Sequence, residues 1–122
     1  MFKVIITGGK EFEDYGLLKR KCDYYLNNKI KNDDVIVVSG GEEGADMLGE
    51  KYAAERGLAV ERYVPNWDRD GKSAGYKRNN IMADTGDACI AFMSSYGKNT
   101  IAKNIVSVAR NKKLLVREVN EY

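Results

Sequence analysis

The sequence contains no histidine, a single proline and only two cysteines. Without an imidazole, Ser-His-Asp triads, Cys-His dyads, histidine general bases and histidine-ligated zinc are all excluded, which removes much hydrolase chemistry. Cys22 and Cys89 lie far apart in segments that read as a helix and a strand interior, so neither a disulfide framework nor a thiolate metal site is expected; buried free thiols are. No metal-ligand spacing is recognisable. Long apolar runs are also missing: residues 35–38 and 88–93 are the longest, far short of the roughly 20 residues a membrane-spanning helix needs. With no signal-peptide pattern either, the expectation is a soluble, cytoplasmic protein with no membrane partner. The net charge is small as well. Twenty Lys and Arg against eighteen Asp and Glu leave a net charge of +2, too little for bulk electrostatics to recruit a nucleic acid.

What is present fits one compact domain of 122 residues, 43% apolar and 31% charged. Residues 2–7, 34–39, 58–64, 88–92 and 113–119 are short runs rich in Val, Ile and aromatics, and they predict five strands. Between them, apolar residues recur at helical spacing: Leu17, Leu18, Cys22, Tyr25, Leu26 and Ile30; Ala45, Leu48, Tyr52 and Ala53; Ile101, Ile105, Val108 and Ala109. A shorter helix is expected over residues 74–83. Asp14 is placed to cap the first helix and Gly57 to end the second. Strand and helix alternate, and runs such as VIVV are apolar on both faces. The predicted fold is therefore α/β: a three-layer, Rossmann-like sandwich of about five mostly parallel strands with helices on both faces.

Open parallel sheets bind ligands beyond the carboxyl ends of their strands, which directs attention to residues 7–10, 39–46, 65–80 and 94–100. Eight of the twelve glycines fall there. In residues 39–46 (SGGEEGAD) the glycines remove side-chain obstruction just before a helix start, where free N–H groups favour an anion; the same residues also suit a plain tight turn. The segment lacks the Gly-Lys-Ser/Thr of a Walker A loop and the first glycine of the dinucleotide fingerprint. Residues 65–80 are too long for a simple connector and are expected to wall the site. Lys72, Lys77 and Arg78 form a local cationic patch there, with Asp68 and Asp70 offsetting part of it, and Arg78 suits two-pronged phosphate or carboxylate binding. Trp67 and Tyr76 can stack on a base or cover the core. Asp46 can complement the helix dipole, hold sugar hydroxyls or orient Arg78. Both Asp46 and Arg78 are expected on the rim, where alanine would weaken ligand binding and leave stability within about 1 kcal/mol.

Taken in order, Thr7-Gly8-Gly9-Lys10-Glu11-Phe12, Ser39-Gly40-Gly41-x-x-Gly44-Ala45-Asp46 with Leu48 and Tyr52-Ala53, Pro65-x-Trp67, Gly71-Lys72-x-Ala74-Gly75-x-x-Arg78-Asn79-x-x-Met82, Asp87-x-x-x-Ala91-Phe92 and Lys98-x-Thr100 span nearly the whole chain. Together they resemble the YspA-like, YpsA-related branch of the SLOG superfamily, named for its SMF/DprA and LOG members. The resemblance implies a Rossmann-like fold whose glycine-rich loops bind a nucleotide or nucleotide-derived ligand, with members acting as sensors or processing enzymes. Carried over by position, the ligand-facing residues are Gly8, Gly9, Lys10, Ser39, Gly40, Gly41, Gly44, Asp46, Trp67, Lys72, Arg78, Asn79, Gly97, Lys98 and Thr100. The chain departs from the pattern at three places. Gly9-Lys10 stands where relatives carry Ser-Arg, Asn99 replaces the glycine before Thr100, and Asn66 replaces a small alanine. Asn tolerates left-handed backbone, so the turn before Thr100 is expected to keep its shape.

Three functions follow. The leading one is a binding module that senses or sequesters a small nucleotide-type ligand, with Mg²⁺ arriving only alongside a polyphosphate. The second is a hydrolase of N-glycosidic or phosphate bonds, with Glu42, Glu43 and Asp46 as candidate carboxylates; here Lys103 stands where the LOG pattern has its catalytic glutamate. The third is single-stranded nucleic-acid binding, disfavoured by the near-neutral charge. Self-association into a homo-oligomer is compatible with a domain of this size.

Overall fold

The computed structural model describes residues 1–121. Five strands, β1 (Phe2–Gly8), β2 (Val35–Ser39), β3 (Ala59–Arg62), β4 (Ala88–Met93) and β5 (Leu115–Asn120), form one all-parallel sheet in the order β3-β2-β1-β4-β5. The helices are α1 (Tyr15–Asn32), α2 (Ala45–Arg56), α3 (Trp67–Asp70), α4 (Ala74–Thr85) and α5 (Thr100–Asn111), with a 3₁₀ turn at Gly71–Ser73.

Period-two alternation divides β1 between two cores. Val4 and Ile6 pack with Leu18, Cys22 and Leu26 of α1 and Tyr52 and Ala53 of α2. Ile5, one residue out of phase, packs with Met82 of α4 and Ile105 and Ala109 of α5. Every residue of β4 is buried, as a strand covered on both faces requires. Both cysteines are buried and free, and burial raises each thiol well above its ordinary range, Cys89 to about 12.

The expected caps are present. Asp14 Oδ1 accepts the Leu17 N–H at 3.0 Å, and Gly57 ends α2 in the left-handed region at φ 69°. Asp14→Ala is expected to lose about 1 kcal/mol and lower the melting temperature by a few degrees, readable by circular dichroism. Three strands match expectation to within one residue at each end, and β3 and β5 differ by two residues at one end. The edge strand β3 is only four residues long, and β5 begins at Leu115 because Lys113 adopts φ 68° in the turn that closes α5. The connector 65–80 contains the short helix α3, which the apolar spacing did not predict; Asn66 Oδ1 caps it by accepting the Arg69 N–H at 3.0 Å. That cap accounts for the asparagine where the resembling family has alanine.

Candidate functional site

β1 lies between β2 and β4, so the chain leaves its carboxyl end in one direction and that of β4 in the other. This is the topological switch point, where opposed loops leave a crevice. A cavity of about 470 Å³ opens there, within the size range of small-molecule sites. The segments after β1 (Thr7, Gly8, Gly9, Lys10, Glu11) and after β4 (Lys98 to Ala102) line it, with Glu42 and Asp46 entering from β2–α2, Trp67 from α3 and Arg78 from α4. All four segments singled out in the sequence therefore converge.

Arg78 is 4% exposed rather than on the rim. Its Nε donates to Asn79 Oδ1 at 3.1 Å and its Nη1 donates to the Gly40 carbonyl at 2.8 Å; Glu42 Oε1 lies 3.8 Å from Nη1. No acceptor for Nη2 exists among the described residues, yet every fully buried side-chain polar atom there has a partner. Nη2 is thus where the guanidinium meets the cavity. Asn79 does not line the cavity: its Nδ2 donates to the Ile101 carbonyl at 3.1 Å and to Asn104 Oδ1 at 3.0 Å, so it ties α4 to α5 and fixes the direction of Arg78.

Asp46 is 2% exposed, again not on the rim. Oδ1 accepts the Thr7 hydroxyl at 2.7 Å and Oδ2 accepts the Glu42 N–H at 3.3 Å. Burial pushes its carboxyl up to about 6, against the downward pull of the Thr7 bond and the Arg78 charge. The neutral form is thus favoured by folding, and this contribution to stability is lost as pH rises through about 6. Gly40 separates Asp46 and Arg78. A methyl group there would meet Arg78 Nη1 at 2.5 Å and Asp46 Oδ2 at 2.7 Å, leaving no room for any side chain.

The other nominated residues divide clearly. Gly8, Gly9, Lys10, Trp67, Lys98 and Thr100 line the cavity. Ser39 does not: its hydroxyl donates to Glu50 Oε2 at 2.7 Å, behind the loop, and Glu50 also holds Arg62. Gly41 packs on Arg62, Gly44 on the backbone of Gly9 and Lys10, and Gly97 on Glu11. Lys72 and Glu43 are exposed and away from the lining. Lys77 pairs with Asp70 at 3.1 Å, and Arg69 pairs with the same carboxyl at 2.9 Å, so the expected cationic patch is partly neutralised.

The start of α2, favoured in the sequence as the anion site, docks onto the first loop: the Ala45 N–H donates to the Gly9 carbonyl at 3.2 Å. The start of α5 is open instead. Asn99 has φ 52° and no side-chain cap satisfies the first-turn N–H groups of Thr100, Ile101 and Ala102, the last two of which were not nominated although all three line the cavity. Asn99 braces this turn, its Oδ1 accepting the Ser94 N–H and its Nδ2 donating to the Ser94 carbonyl, both at 3.0 Å. Glu11, another lining residue, could have been found from its place just after Lys10.

These features define a Rossmann-like α/β domain with its cavity at the switch point of a parallel sheet. The chain belongs to the SLOG family described as YAcAr, YspA and cpYpsA-related, whose family model matches residues 2–69. Its fold is similar to that of DNA processing protein A (DprA) from Streptococcus pneumoniae, with a TM-score of 0.67 and 14% sequence identity. That likeness covers 99% of this chain and 50% of DprA, so the chain spans half the length of that protein. No curated protein matches the chain. No helix among the described residues is long and apolar enough to cross a membrane.

Proposed function

We propose that the cavity binds a nucleotide or nucleotide-derived small molecule and that the domain senses or sequesters it. The observation that carries this reading is the convergence of two anion-seeking groups on one cavity: the free Nη2 of buried Arg78 and the uncapped start of α5. Trp67, 53% exposed on the cavity wall, offers a face for a base, and Asp46 and Glu42 offer acceptors for sugar hydroxyls. Lys10, Lys98 and Arg78 are balanced by Glu11, Glu42 and Asp46, which favours a compact ligand over a nucleic-acid strand.

Native mass spectrometry against a panel of nucleotides and nucleotide sugars, with and without Mg²⁺, tests the proposal. One unaltered ligand bound per chain is the expected result; no binding across the panel would overturn it. Trp67→Ala is expected to weaken nucleotide binding about tenfold while leaving binding of ribose 5-phosphate unchanged, by calorimetry. Because Trp67 is half exposed, the melting temperature should hardly move.

One observation favours a hydrolytic reading: a buried carboxyl, Asp46, lies on the cavity lining, where burial pushes it up to about 6 and suits it to proton exchange. Lys103, at the position of the LOG glutamate, does not line the cavity; it lines a separate groove with Ser107 and Arg110. Release of free base or sugar phosphate in the same panel would establish turnover.

A further inference from the structure

Asp46 is an acid placed where an incoming anion would find it. It stands beside Arg78 across Gly40, on the wall of a cavity whose other charged lining residues are Lys10, Lys98, Glu11 and Glu42. With Asp46 ionised that lining carries no formal net charge, and with Asp46 protonated it carries one positive charge. We propose that capture of an anion at Arg78 and the start of α5 is coupled to uptake of one proton, which is held on the Asp46 carboxyl. This rests on the ligand-binding reading of the cavity and adds its regulation by pH.

The groups packed around Asp46 make the coupling specific. From β1 comes the Thr7 hydroxyl; from the β2–α2 loop, the Glu42 N–H and carboxylate, with Glu43 turned to solvent. From α4 comes the Arg78 guanidinium, from β4 the thiol of Cys89, and one turn along α2 lies Glu50, paired with Arg62. Arg78 is the one cation among these that favours ionised Asp46. An anion that engages the guanidinium screens that attraction and adds its own repulsion, so both effects drive Asp46 to take up a proton. The linkage is reciprocal: protonated Asp46 must favour the anion by the same factor. Burial already holds the carboxyl near 6, and the chain has no histidine to titrate in this range.

Inorganic sulfate is the probe, because its charge does not change between about pH 5 and pH 8. Its affinity is read from NMR shifts of the Arg78 guanidinium and of the Thr100, Ile101 and Ala102 amides at constant ionic strength. Affinity is expected to fall about tenfold between pH 5 and pH 7.5 in the native protein and to stay flat and high in Asp46→Asn. That substitution preserves local bonding: the amide oxygen accepts the Glu42 N–H while the amide nitrogen donates to the Thr7 hydroxyl. Equal pH dependence in both proteins would overturn the coupling and leave the anion site standing. No sulfate-dependent shift at any pH would overturn the anion site and the coupling together. A second measurement needs no variant: saturating sulfate is expected to move the carbon-13 titration of the Asp46 carboxyl upward, and an unmoved titration overturns the proposal.

Discussion

Arg78→Ala is expected to cost about 3 kcal/mol of stability and to weaken ligand binding about a hundredfold, so that one substitution damages fold and site together. Three partners explain the stability loss. The Gly40 carbonyl loses its 2.8 Å donor, Asn79 Oδ1 loses the Nε–H at 3.1 Å, and the buried Asp46 carboxyl loses the cation that opposes its desolvation. The binding loss comes from Nη2, the atom that the protein leaves for the cavity. Arg78→Lys separates the two effects. A lysine keeps the charge that Asp46 feels but cannot serve Gly40, Asn79 and a ligand from one planar fork, so it should recover part of the stability and little of the affinity. Thermal melts paired with calorimetry on the two variants check this. If alanine leaves the melting temperature within a degree or two, the hydrogen bonds around the guanidinium do not hold the loop after β2.

The contrast with the sequence-based expectation for Arg78 is instructive. Strand runs, helical spacing, the Asp14 cap and the Gly57 terminus are local signals, and each marks an element the structure has, with only β3 and β5 among the strands having an end displaced by two residues. The carboxyl edge of the sheet was also legible, because the glycines concentrate along it, but the strand order that sets the switch point was not. Burial of charged residues was not. In sequence, Asp46 and Arg78 look like ordinary first-turn and helix-face charges, and nothing local shows that Gly40 lets both approach one point from opposite sides. Asn79 was nominated for ligand contact by the family resemblance, but it faces α5, and the contact with Asn104 crosses from one helix to another. The open start of α5 was not legible either, whereas the start of α2 drew attention by its glycines. What a helix start meets depends on what docks against it, and the Gly9 carbonyl that takes the Ala45 N–H of α2 comes from a different segment. Asn99 shows the opposite case: its tolerance of left-handed backbone is local, and the turn indeed keeps φ 52°.

Gly44→Ala is expected to cost about 3 kcal/mol or more and to lower the melting temperature by about 10 °C. Gly44 sits at φ 79° and ψ −128°, a conformation that L-residues rarely adopt. An added Cβ would also meet the Gly9 carbonyl oxygen at 2.4 Å and the Lys10 carbonyl oxygen at 2.5 Å, both backbone atoms that cannot swing aside. The loop after β1 and the start of α2 must then separate, breaking the bond from the Ala45 N–H to the Gly9 carbonyl. Gly8, Gly9 and Lys10 would shift with it, and they form one wall of the cavity. Ligand affinity should therefore fall even though Gly44 touches no ligand. Gly57→Ala is the matched control: it too replaces a glycine with positive φ, but nothing lies within 4 Å of the added carbon, so only the conformational cost of about 1–2 kcal/mol applies. Chemical denaturation of both variants measures the difference. An equal loss in the two would mean that backbone strain alone accounts for Gly44, and that the close approach of the two loops contributes nothing to holding the site together.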